Sequence, residues 1–216
     1  MPVHGNKQDQ YLLNCLSPEK DVEGLSHLDL YNMYHNIRFL DQNQKKKSIL
    51  PCTPLGIVKV LEYLQIYHPL LHHGNRLYGK TVLVVNRSEV VGRPLAALLA
   101  NDGATVYSLD LSGMQLFTRG AGIKLRCHHV TDISNPLSEI APKCDVIITG
   151  VPNPAYKFPT NLIRDGAVCI CFSSYKNFQD DVQERASIYV PSIGKVTIAM
   201  LCRNQLRLIE NRTVSS

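Results

Sequence analysis

Residues 86–110 read NRSEVVGRPLAALLANDGATVYSLD. These residue types at this spacing suit the holding of a dinucleotide at the carboxyl edge of a sheet. Asn86 stands where a G-x-G-x-x-G turn has its first glycine, and asparagine is the residue that best tolerates a positive φ there. Arg87 and Ser88 carry donors suited to phosphate or ribose. Gly92 leaves room for close backbone approach at a helix start, where anions are attracted. Asp110 lies 18 positions after Gly92, close to the spacing at which a carboxylate accepts hydrogen bonds from the adenosine ribose. Its charge repels a 2′-phosphate, so NAD is expected rather than NADP. The plainer readings are a β–α turn that binds nothing and a strand-end aspartate. Asp102, in Asn101-Asp102-Gly103, suits the plain turn role better than Asp110 does.

Such a site needs strands and helices in alternation to position it. From Gly79 onward TVLVV (81–85), ATVYSLD (104–110), DVIITG (145–150) and AVCICF (167–172) are short apolar runs, each closed by a turn signal. PLAALLA (94–100) is a helix between the first two, with Pro94 near its start. Strands apolar on both faces and separated by helices predict an α/β fold with a Rossmann-like, doubly wound parallel sheet. Before it, residues 7–16 suggest a short helix, and residues 26–50 mixed helix and loop. Thr53 is the expected N-cap of a clearer helix that begins at Pro54 and continues through Ile57, Leu61 and Leu64. The segment from Gly194 reads as a last helix whose Ile198, Leu201, Leu206 and Leu208 need a surface to cover.

Composition narrows the function classes. The 216 residues are 44% hydrophobic and 19% charged, with a formal net charge of +5, which describes a folded globular chain. The dense basic run, Lys45-Lys46-Lys47, is too short to predict a nucleic-acid surface. No stretch reaches the about 18 apolar residues a membrane span needs. The opening MPVHGNKQDQ has neither a secretory nor a transit pattern. Seven scattered cysteines without a C-x-x-C pair suit reduced thiols in a cytoplasmic protein. Cys127, His128 and His129 adjoin, yet no second pair stands at zinc spacing, so no metal is expected.

SPEKDVEGL (17–25), ILPCTPLGIVKVLE (49–62), the Asn86–Leu99 turn and helix, and VTIAML (196–201) occur in that order. Together they resemble the methylenetetrahydrofolate dehydrogenase/cyclohydrolase family, most closely its fungal monofunctional NAD-dependent branch. The resemblance implies two α/β domains around a cleft. Residues 1–65 are then part of the folate-binding catalytic domain, 66–190 the NAD-binding domain, and 191–216 a helix returning to the first. It implies oxidation of 5,10-methylenetetrahydrofolate to the methenyl form with NAD, in one-carbon metabolism serving purine biosynthesis, by a homodimer paired through the cofactor domain. Glu23 would grip the pterin N–H edge; by itself it reads as a solvated loop acid. Thr149, Gly150 and Val151 would pass beside the nicotinamide half. Thr197 would reach the nicotinamide amide or serve as an ordinary helix-start threonine, and Cys52 reads as packing.

The departures are specific. Glu23 stands where the family has an aspartate, and VPSIGKVT (190–197) is a shortened glycine-rich loop. The family's tyrosine-and-lysine motif falls before the point where the sequence opens, which predicts dehydrogenase chemistry without cyclohydrolase activity and marks Met1 as the start of a fragment. The alternative is a non-catalytic NAD-binding fragment or partner protein that has lost the folate site.

Overall fold

The β-branched runs become the centre of a seven-stranded mixed sheet in a computed structural model that describes residues 6–119 and 127–213. The strands are β1 (Thr81–Val85), β2 (Thr105–Asp110), β3 (Gly113–Thr118), β4 (His129–Ile133), β5 (Val146–Thr149), β6 (Val168–Cys171) and β7 (Ile188–Val190). Their order is β4-β3-β2-β1-β5-β6-β7. The strands from β2 to β7 in that order are parallel, whereas β3 and β4 are antiparallel additions at one edge. The four strands expected from sequence are all present. β3, β4 and β7 were not expected.

Both faces of the parallel part are covered, which is why its strands are apolar throughout. Val82 and Val84 face a core built with Ile57, Leu61, Leu95 and Leu99 from α3 (Cys52–Tyr63) and α4 (Gly92–Asn101). Leu83 and Val85 face a second core containing Ile147, Cys169, Phe158 and Phe178. That second layer departs from the helices a doubly wound sheet leads one to expect. Apart from the one-turn α5 (Leu137–Ile140), it is made of 3₁₀ turns and extended segments. Prolines at 152, 154 and 159 deny the β5–β6 connection a helix. Phe158 and Phe178 instead form a parallel bridge with ring centroids 5.9 Å apart.

The N-terminal segment forms α1 (Asn6–Cys15) and α2 (His27–Tyr34) before α3. Thr53 does not cap α3. The helix starts at Cys52, after Pro51, because the Cys52 amide finds the Glu23 carbonyl at 3.0 Å. The last helix, α6 (Gly194–Thr213), lies along α3. Fully buried Asn204 donates to the carbonyls of Val22 at 2.9 Å and Leu50 at 2.8 Å. Asn211 exchanges two hydrogen bonds with the Lys47 backbone. Leu208 is buried as expected, but Ile198 and Leu206 each remain 62% exposed.

Candidate functional site

The parallel registers bring Val85, Leu109, Thr149 and Cys171 level with one another. Asn86, Asp110, Gly150 and Phe172 therefore follow along one carboxyl edge of the sheet, where ligands of open α/β sheets bind. Asn86 does take a positive φ, 113°. Its side chain works in two directions, donating to the Gly150 carbonyl at 2.6 Å and accepting from the Ser88 amide at 2.6 Å. One asparagine thus ties the β1 turn to the β5 turn.

Gly92 is needed for a reason different from the one expected. A Cβ at this position would lie 1.8 Å from the Asn86 carbonyl oxygen. The space is taken by the turn's own backbone rather than kept for a ligand. Ser88 accepts long hydrogen bonds, 3.4 Å each, from the Val91 and Gly92 amides. The Arg93 amide is held by the Ser88 carbonyl at 3.0 Å. With those amides engaged, an anion at the start of α4 would meet the Ser88 hydroxyl and the field of the helix.

At the β5 end, a Cβ on Gly150 would lie 1.9 Å from the Phe172 ring. Thr149 is fully buried, and its hydroxyl has no partner among the described residues. Val151 is held by a residue the sequence reading missed. Buried Asn177 accepts from the Val151 amide at 2.8 Å and donates to its carbonyl at 3.0 Å, and Ser173 donates to the same carbonyl at 2.9 Å. Nothing local in Lys176-Asn177-Phe178 announces this, because the partner lies 26 residues away.

Asp110 is exposed at the end of β2, and among the described residues its carboxylate has no ion pair. Arg87, expected to face phosphate or ribose, spends four of its N–H donors on the β2–β3 hairpin. They reach the Ser108 carbonyl at 2.9 Å and hydroxyl at 3.3 Å, the Ser112 hydroxyl at 3.1 Å and the Gly113 carbonyl at 2.5 Å.

Glu23 belongs to a loop organised by its neighbour Asp21. The buried Asp21 carboxylate accepts the backbone amides of Glu23, Gly24, Leu25 and Ser26 at 2.7–3.1 Å. Such an arrangement spends a charge on backbone order. The Glu23 side chain is left exposed beside Cys52, whose thiol is pushed up by burial and further by the Glu23 charge, with Thr53 opposing. A thiol held protonated is a packing group, not a nucleophile. The Thr197 hydroxyl donates back to the Ile193 carbonyl at 3.3 Å, so toward any cofactor it has only lone pairs to offer. Among the described residues, no group of three His, Cys, Asp or Glu is placed to hold a metal, and no helix is long and apolar enough to cross a membrane.

The geometry can be set beside known proteins. The family model for the tetrahydrofolate dehydrogenase/cyclohydrolase NAD(P)-binding domain matches residues 51–123. The methylenetetrahydrofolate dehydrogenase [NAD(+)] of Schizosaccharomyces pombe is 65% identical over 96% of this chain and 65% of its own length. The enzyme of that name from Saccharomyces cerevisiae is 61% identical over 99% of this chain and 68% of its own. The chain thus spans about two thirds of the length of the curated relatives it matches. The solved structure of the NAD-dependent 5,10-methylenetetrahydrofolate dehydrogenase from Saccharomyces cerevisiae superposes with a TM-score of 0.93 at 60% identity, covering all of this chain and 69% of that one. With identity of 60% or more over nearly the whole of this chain, the chain belongs to the tetrahydrofolate dehydrogenase/cyclohydrolase family.

Proposed function

We propose that the chain takes part in the NAD-dependent oxidation of 5,10-methylenetetrahydrofolate to 5,10-methenyltetrahydrofolate. The observation that carries this reading is Asp110: an exposed carboxylate without an ion pair among the described residues, level with the Asn86 turn at the edge where a dinucleotide lies. A group of that kind accepts both ribose hydroxyls and repels a 2′-phosphate. The names of the relatives, which specify NAD, agree with it.

Bound NAD supplies the hydride acceptor. The residues of the chain hold and orient. Asn86 and Asn177 fix the β1 and β5 turns, so that Gly150 and Val151 present backbone beside the nicotinamide half. Ser88 offers a hydroxyl at the start of α4 for the diphosphate. The methylene carbon of the folate lies between two nitrogens, which share the positive charge that develops as hydride leaves, so the step needs alignment rather than a general acid. Glu23 accepts the pterin N–H edge in this reading, which its exposure on a loop tied by Asp21 and Asn204 supports. The division into a catalytic part (1–65 and 191–216) and a cofactor part (66–190) belongs to the same proposal, and the direct packing of α6 on α3 supports it.

Pairing into a homodimer through β4 is a further part of the reading. Among the described residues that strand is the edge of the sheet, exposed along most of its length, and edge strands are natural pairing surfaces. A cytoplasmic setting fits seven free cysteines, and a role in one-carbon supply to purine biosynthesis belongs to the same proposal. The second reading, NAD binding without turnover, is favoured by the uncovered Ile198 and Leu206 on α6. One assay separates the two. The purified chain is given 5,10-methylenetetrahydrofolate with NAD or with NADP, and cofactor reduction is followed. Reduction of NAD is expected. Binding of NAD with no reduction would select the second reading.

A further inference from the structure

We infer that Arg87 is a positioning residue, a brace that holds the β2–β3 hairpin so that Asp110 meets the adenosine ribose. It is thereby withdrawn from phosphate binding. The inference rests on the NAD reading above and concerns how that specificity is built.

The hairpin needs such a brace. Asp110 pairs with Gly113, leaving Leu111 and Ser112 as the connection. The Leu111 side chain lies wholly in solvent. A tip without buried apolar contacts opens readily, and the ribose carboxylate sits at its base. Arg87 binds both arms and the connection at once: Ser108 on β2, Ser112 at the tip and Gly113 on β3. The planar guanidinium fork spans these acceptors in a way that the compact lysine ammonium does not. Arg87 also follows Asn86, so it transmits the geometry of the β1 turn to the strand end carrying Asp110. The committed cation has a second consequence. With four of its five N–H donors engaged, Arg87 has one left to offer a 2′-phosphate, so NAD preference rests chiefly on repulsion by Asp110.

The test compares two ligands, adenosine and ADP-ribose, each competing against NAD on the full chain and on Arg87→Lys. A brace predicts equal losses for both ligands, about tenfold, since both depend on Asp110. Loss for ADP-ribose with adenosine unaffected would show a direct phosphate contact and overturn the inference. Undiminished binding of both would overturn it too. A wild-type chain that binds neither ligand would overturn the NAD reading and this inference with it, so the two failures are distinguishable. Ser112→Ala removes one bond at the exposed tip and covers the case in which Arg87→Lys does not fold. It should speed amide exchange at residues 110–113 and weaken both ligands about twofold with Tm unchanged. Unchanged exchange and affinity in that variant would refute the brace.

Discussion

Gly92 and Asp110 show two ways in which one residue can be indispensable to a binding edge. At position 92 even a methyl group collides with the Asn86 carbonyl, so Gly92→Ala must open the turn. We expect it to abolish NAD binding and to cost about 1–3 kcal/mol, read from urea unfolding. Among the described residues the Asp110 carboxylate has no ion pair or side-chain hydrogen bond to lose, and Asp110→Ser should leave stability unchanged. Its expected effect is on choice: kcat/KM with NADP relative to NAD should rise about tenfold. An unchanged ratio would remove Asp110 from the ribose. The asparagine at 86 and the carboxylate at 110 were legible in the sequence because their spacing is local. The reason for Gly92 was not, because the atom that fills its space is fixed only when the turn closes. Arg87 shows the same limit, since its acceptors lie on another strand.

The elements that hold the site are joined by buried asparagines. Asn177 clamps the β5 turn, Asn204 joins the Asp21 loop to the segment before α3, and Asn101 on α4 donates to the Met33 carbonyl of α2 at 3.2 Å. Each replaces a backbone partner in a region without regular ladders, and truncation leaves buried groups unsatisfied. Asn177→Ala should lower stability by about 1–3 kcal/mol. It should also weaken NAD binding, and thermal unfolding with and without NAD checks both. The apolar strands were readable because parallel strands are apolar on both faces. β4 was not, because its His129-Val130-Thr131-Asp132 pattern is that of a wet edge, and only pairing with β3 makes it a strand. The covering layer of 3₁₀ turns in place of long helices follows from the prolines, whose spacing was visible but whose packing around Phe158 and Phe178 was not.

Across the whole molecule, the half-buried His128 and the buried Asp29 set opposing pH responses. Burial, reinforced by the charges of His129, Arg93 and His35, lowers His128 from 6.5 to about 4. Between those values the unfolded chain binds the extra proton, so this group contributes stability at neutral pH that is lost as pH falls from 6.5 toward 4. Burial raises Asp29 from 3.8 to about 6, with the Asp21 charge adding and the Ser26 hydrogen bond opposing. Here the folded chain keeps a proton that the unfolded one releases, so its contribution is lost as pH rises from 3.8 to 6. Asp29→Asn should therefore steepen the loss of stability on acidification, and His128→Gln should reverse its slope, in urea midpoints measured from pH 4 to 7. Sedimentation across a concentration series should show a dimer, and Thr131→Pro on the β4 edge should shift it to monomer. The sequence by itself determined the parallel α/β core, the edge that carries the site, and the residues with chemistry to offer, because periodicity and turn spacing act over a few residues. Tertiary structure alone decided which of those residues face outward for a ligand and which are consumed inside, because Arg87, Asn177 and Asn204 take their partners from 21 to 182 residues away.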